Sequence, residues 1–461
     1  MKSPELRCCC SFAGSCAVSV VVALSIVLVI TSTHCVEGFE SGLQLPRSGF
    51  LNGRVKSNRV LFIHDFGAAG DGVGNDTQVK FAYQALKDCW EVACSSPKRP
   101  RIVVPAGTYL VHPIVLSGPC KSKITFSIYG TIVAPQDPDA WRGLNRRRWL
   151  YFSKINHLSV DGGGTINGMG EQWWANSCKT NKTNGSKTML QALTFHRCKD
   201  LKVTDLRVVD GQQMHMTMTN CVRVSLSQIA VMAPASSPNT DGIHISSSRG
   251  INVMNTTIGT GDDCISIVGH SSRINIKDIA CGPGHGISIG SLGKSNSTAS
   301  VKSVSVDGAF LSNTQNGLRI KTWQGGSGEA SDINFQNVLM ENVSNPIIIN
   351  QFYCDSKIPC ANQTKGVKVK NISFKHIEGT SATKEAMRFS CSEYTSCEGL
   401  YLEDVHLVLS SGEGFAESFC WEAYGTSGGS VFPPPCFSSD HKQLFVIKQE
   451  VPNEQQFIDS M

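Results

Sequence analysis

Three acidic residues, one histidine and a pair of cations recur at related intervals in the middle of the sequence. Asp241 lies in Ser237-Pro-Asn-Thr-Asp-Gly-Ile, and Asp262 and Asp263 follow in Thr260-Gly-Asp-Asp-Cys-Ile. The step from Asp263 to His285, which sits between two glycines, equals the step from Asp241 to Asp263. Arg319-Ile-Lys321 begins one longer step beyond His285. Such a set suits acid–base chemistry. One carboxyl group donates a proton, another activates water, and like-charge crowding raises the pKa of one of them. The two cations, on one side of a strand, would hold an anionic ligand. Each piece alone has a plainer reading. A Gly-Asp-Asp is commonly a turn or part of a calcium cluster. A histidine between glycines is commonly a loop residue, and an Arg-x-Lys a solvated strand face. The spacing favours the combination, because unrelated loops are not expected to fall one coil apart.

A chain that returns to the same place at such intervals would bring these residues together, and the flanking sequence describes one. Ile251-Asn-Val-Met-Asn-Thr, Ile274-Asn-Ile-Lys-Asp-Ile, Val304-Ser-Val-Asp-Gly-Ala, Ile333-Asn-Phe-Gln-Asn-Val, Ile372-Ser-Phe-Lys-His-Ile and Leu400-Tyr-Leu-Glu-Asp-Val share one pattern. Each reads apolar, polar, apolar, then two polar or small residues. Leu201-Lys-Val-Thr-Asp-Leu and Val222-Arg-Val-Ser-Leu are earlier members. Successive starts are unequally spaced, most closely from Leu201 to Val222 and most widely from Ile333 to Ile372. Short strands at a variable period, with no helices between them, predict a solenoid, here an all-β right-handed parallel β-helix. Residues one coil apart then sit one strand spacing, ~4.8 Å, apart in space. A two-sheet sandwich would need hairpin turns, and Asn-Gly or Asp-Gly pairs are too few. One helix is expected, over Asp76 to Ala93, where Val79, Ala82, Tyr83, Leu86, Cys89 and Ala93 recur at helical spacing. It would cap the solenoid's N-terminal end.

The 461 residues, 41% hydrophobic and 17% charged, are too apolar for disorder. A net charge of +5 is too weak to imply nucleic-acid binding, and the one basic run is Arg146, Arg147 and Arg148. Residues 1–38 read as a secretory signal. Lys2 and Arg7 precede an apolar centre from Phe12 to Ile30, and no stop-transfer charges follow. That run is also long enough for an uncleaved anchor, the one route to stable membrane association. Residues 39–60 read as a flexible arm, 61–436 as one catalytic domain and 437–461 as a tail. Of 19 cysteines, 14 lie beyond the leader, which allows up to seven disulfides; Cys354 with Cys360 and Cys391 with Cys397 are plausible pairs. No metal site is expected, since no two-residue cysteine spacing recurs and no histidine pair sits at ligand distance. Eight Asn-x-Ser/Thr acceptors, at Asn75, Asn181, Asn184, Asn255, Asn296, Asn342, Asn362 and Asn371, also fit export.

Asn239-Thr-Asp241, Gly261-Asp-Asp263, Gly284-His-Gly286 and Arg319-Ile-Lys321, in that order and spacing, resemble the four signature motifs of the polygalacturonases, the pectin-cleaving glycoside hydrolase family 28. The likeness runs from Phe66-Gly-Ala-Ala-Gly-Asp-Gly to about Cys436, and is greatest to plant members in Leu318-Arg-Ile-Lys-Thr-Trp-Gln-Gly-Gly326. The resemblance implies Asp262 as general acid, Asp241 and Asp263 as the pair activating water, and His285 as the residue holding the acid protonated. It implies Asn239, Arg319, Lys321 and Tyr353 as substrate-binding residues, with no cofactor. The implied activity is inverting hydrolysis of galacturonan by a secreted, monomeric cell-wall enzyme, with internal attack slightly favoured over attack from chain ends. Pectate-lyase-type elimination with calcium is the nearest alternative. Hydrolysis of rhamnogalacturonan or xylogalacturonan is another, though Arg319 and Lys321 argue for acidic sugars at the cleavage site. A wall-binding protein without activity is a third, which the full catalytic set makes less attractive.

Overall fold

The computed structural model describes residues 59–72, 76–145, 147–180, 190–356 and 358–438. The expected leader, the arm as far as residue 58 and the tail from residue 439 lie outside them, as do the acceptors Asn75, Asn181 and Asn184.

The chain winds as a right-handed parallel β-helix. Each coil adds one strand to each of two parallel sheets, which hold 16 and 11 strands among the described residues. The larger sheet carries the repeated pattern. Leu201, Val224, Ile251, Ile274, Val304, Ile333, Ile372 and Leu400 are paired in succession, each against its counterpart in the next coil. All eight are buried. The second repeat member therefore starts at Val224, not at Val222: Val222 pairs with Lys199 and is exposed. Val222 and Val224 fit the pattern equally well in the sequence; Arg223, at φ 55°, turns the chain between them, and only Val224 is buried.

The pattern's fifth position has a backbone cause. Asp205, Gln228, Asn255, Asp278, Gly308, Asn337, His376 and Asp404 occupy it, and all have φ between 49° and 77°. Each long strand turns a corner there in the left-handed region. Asn, Asp and Gly tolerate that region best, and β-branched residues do not. The two polar or small residues are thus the mark of a bend repeated in every coil.

Between the sheets, identical positions stack along the axis. Phe335 lies on Phe374 with centroids 5.2 Å apart, and Phe152 on Phe195 at 5.3 Å. The helix, Asp76–Cys94, covers the N-terminal end of this core as expected. It buries Ala85, Leu86, Cys89, Trp90 and Ala93, and the Trp90 indole donates to the Ser117 carbonyl at 3.0 Å.

Among the described residues five disulfides form, within the seven that the count allowed: Cys94–Cys120, Cys264–Cys281, Cys354–Cys360, Cys391–Cys397 and Cys420–Cys436. The two close pairs expected from spacing are among them. Cys89, Cys198 and Cys221 are buried and unbridged, and serve as small core residues; Cys178 is unbridged and half-buried.

Candidate active site

The smaller sheet is the floor on which the sequence-predicted residues meet. Four consecutive coils place one four-residue unit at the same address: Asp241-Gly-Ile-His244, Asp263-Cys-Ile-Ser266, His285-Gly-Ile-Ser288 and Asn316-Gly-Leu-Arg319. Ile243, Ile265, Ile287 and Leu318 pair in register and point into the core. The alternate positions, His244, Ser266, Ser288 and Arg319, pair in the same way and point outward. The first residue of each unit sits at the edge where the chain enters the strand.

The cluster is compact and largely dry. Asp262 accepts a hydrogen bond from the Asn239 amide at 3.0 Å and faces His285 Nδ1 at 2.9 Å. The Asp263 backbone N–H also donates to Asp262, at 2.8 Å. Asp263 accepts from the Ser288 hydroxyl at 2.6 Å and from Lys321 Nζ at 2.8 Å. Asp241 accepts from Ser266 at 2.7 Å, with His244 Nδ1 3.5 Å away. Tyr353 lies beneath both cations, 5.4 Å from the Arg319 guanidinium and 5.5 Å from Lys321 Nζ. All eight expected residues are brought together. His285 can reach Asp262 because Gly286 has φ 82° and a side chain there would drive into the Asn316 carbonyl. The Cys264–Cys281 bridge ties the coil carrying Asp263 to the segment leading into His285.

Electrostatics divide the carboxyl groups. Burial pushes the Asp241 pKa up, and the charges of Asp262 and Asp263 add to the rise against the opposing contact with His244. Burial also acts to raise Asp262, but the His285 contact, Lys321 and the Asp263 amide outweigh it and hold Asp262 down at about 2. Burial first, with crowding behind it, therefore raises one carboxyl group, and that group is Asp241. Lys321 is buried against Asp263; burial disfavours its charge, the Asp263 carboxylate prevails, and its pKa is raised.

Donor atoms of Asp262, Asp263 and His285 lie within 4.8 Å of one another, a density that a metal ion could use. The Lys321 ammonium, however, occupies one side of Asp263, and calcium would ask for six to eight oxygens. The donor set fits a hydrogen-bonded acid–base cluster better than a calcium cage.

His244, Ser266 and Ser288 escaped the sequence reading. Their signal was present in the four-residue unit itself, which recurs at one constant interval from Asp241 to Asp263 to His285.

The model of glycosyl hydrolases family 28 matches residues 94–421. A probable polygalacturonase of Arabidopsis thaliana is 56% identical over 424 residues, covering 91% of this chain and 94% of the relative. The chain belongs to glycosyl hydrolases family 28. A polygalacturonase of Persea americana is 49% identical over 388 residues, covering 84% of this chain and 82% of its own. Among solved structures, an exopolygalacturonase of Thermotoga maritima superposes with a TM-score of 0.66 at 19% identity, over 80% of this chain and 90% of that one. An endo-xylogalacturonan hydrolase of Aspergillus tubingensis gives 0.65 at 23% identity, over 81% and 100%. Both likenesses concern the fold. This family 28 chain exposes the acceptors Asn255, Asn296, Asn342, Asn362 and Asn371. No described helix is long and apolar enough to cross a membrane.

Proposed function

We propose that this glycoside hydrolase cleaves the α-1,4 bonds between galacturonate units of pectin by a single inverting displacement. The observation that carries this is the junction of three carboxyl groups and His285 with Arg319, Lys321 and Tyr353 on one floor. The chemistry needs a proton on the leaving oxygen and a water stripped of its proton on the opposite face. Asp262, 2.9 Å from His285, is placed to deliver the first. Asp241 and Asp263 orient and deprotonate the water. Arg319 and Lys321 receive the sugar carboxylate, and Tyr353 offers a ring face to the pyranose. Asn239 holds Asp262 in place.

Internal attack is preferred, because floor strands continue on both sides of the acids, from Ile114–Ser117 to Glu417–Trp421. The disulfides and exposed glycosylation acceptors support a secreted enzyme of the cell wall.

A second reading follows from the electrostatics: with Asp241 pushed up and Asp262 held at about 2, Asp241 would be the acid and Asp262 the base. A galacturonyl fluoride separates the two, since fluoride leaves without a proton. Under the first assignment, Asp262→Asn loses ~10²–10⁴ in kcat on polygalacturonate and recovers on the fluoride, whereas Asp241→Asn recovers on neither. The reverse pattern assigns the acid to Asp241. Release of the retained anomer first, followed by NMR, would sink the single displacement, and an ultraviolet-absorbing product would mean elimination.

A further inference from the structure

The lone basic run in the sequence ends at Arg148, and the structure places that residue on the catalytic floor. The Arg148 guanidinium covers the Tyr151 ring, 4.3 Å from its centroid, and the His196 ring lies beside Tyr151 at 5.8 Å. Tyr151 belongs to the outward line of the floor. It pairs with Thr194, Thr194 with Thr217, and Thr217 with His244; the line then runs through Ser266 and Ser288 to Arg319. Tyr151 is three strand steps, ~14 Å, from His244, on the side of the acids away from Arg319. An arginine against a tyrosine thus stands on either side of the acids along one line.

The cluster carries uncompensated positive charge. Arg197 and Lys154, exposed at the turns after their strands, add to Arg148. Burial first, then Arg197, Arg148 and Lys154, keep His196 below its ordinary pKa. Among the described residues no carboxylate pairs with Arg148, Arg197 or Lys154. One guanidinium fixed over a ring, with two further cations near it and no counter-charge, suits an incoming anion such as the carboxylate of a galacturonate unit.

We propose that Arg148, Tyr151 and His196 form an outer subsite for a galacturonate unit several sugars from the bond that is cut. Arg148 pairs with the sugar carboxylate, Tyr151, buried beneath it, holds the guanidinium flat, and His196 donates to a hydroxyl. Arg197 and Lys154 draw the polyanion toward that end. This rests on the function proposed above, and it implies grip on the interior of a chain.

The test is the rise of kcat/KM from galacturonate trimer to hexamer, measured on the full secreted chain. Only the longer substrate can span the acids and Tyr151. Arg148→Gln should flatten that rise ~10-fold, the scale of a lost charge-assisted hydrogen bond. Arg148→Lys should restore it in part, keeping the charge and losing the stacked plane. A wild-type chain-length dependence in Arg148→Gln overturns the subsite, as does an equal loss on trimer and hexamer with a lowered Tm. Absence of wild-type activity on polygalacturonate would overturn the underlying function instead.

Discussion

The two sheets obey the same period and opposite rules. In the larger sheet the inward positions repeat one kind of residue through eight coils, from Leu201 to Leu400, because each coil meets the same neighbour above and below. On the floor of the smaller sheet the inward isoleucines repeat likewise, but the positions around them change coil by coil: Asp241, Asp263, His285, Asn316 at the edge, and His244, Ser266, Ser288, Arg319 facing out. Packing demands sameness, and a site demands different groups at fixed separations. The solenoid supplies both from one register, since a strand step of ~4.8 Å is within reach of side-chain hydrogen bonds.

If that contrast is real, breaking one floor contact and one core contact should fail in different ways. Lys321→Ala should have the larger effect. It leaves Asp263, 2% exposed, buried without its cation. Removing one partner of such a pair costs about 3–5 kcal/mol. Denaturant unfolding should report that loss, with kcat falling and, under the proposed function, KM rising on polygalacturonate, because Asp263 loses its partner and the sugar carboxylate would lose its own. Lys370→Ala, which breaks a 2.8 Å pair with Glu329 on the solvated face of the other sheet, should change neither. Ile276→Ala in the core should cost about 2–5 kcal/mol through the cavity it leaves, while kcat per folded molecule stays at the wild-type value. Its outward neighbour Asn275→Ala should stay within about 0.5 kcal/mol. A core variant that lost activity without losing stability would erase the distinction.

The same contrast explains what the sequence disclosed. The coil was legible because apolar alternation recurs with a bend residue at its fifth position, from Asp205 to Asp404. The acids, His285 and the cations were legible because rare charged types fell at coil-length intervals. Ser266, Ser288 and His244 were not, since a serine or histidine shortly after an aspartate or glycine is unremarkable until its register is known. Whether Cys198 and Cys221 are bridged was hidden as well, because pairing of cysteines depends on geometry that spacing does not give. The ranking of the carboxyl groups was equally hidden. It depends on how many donors reach each one: Asn239, His285 and the Asp263 amide converge on Asp262, and burial dominates at Asp241.

That ranking gives the smallest expected effect, and it sharpens the comparison within the floor itself. In the folded chain Asp262 is held at about 2, below the ~3.9 of an unfolded aspartate. Between those values the unfolded chain binds more protons, so Asp262 contributes stability that is complete above ~4 and is lost as pH falls through about 2. His285→Gln removes the contact that opposes burial most strongly. The folded pKa of Asp262 should then rise, and the slope of unfolding free energy against pH from about 2 to 4 should flatten. Ser288→Ala, which removes a donor to Asp263 and leaves Asp262 its partners, should keep the wild-type slope in that window. Carboxyl NMR titration of Asp262 in the two variants reads the shift directly. A titration of Asp262 unmoved by His285→Gln would show that its low pKa is set by Lys321 and the backbone amide, and would detach His285 from control of that proton.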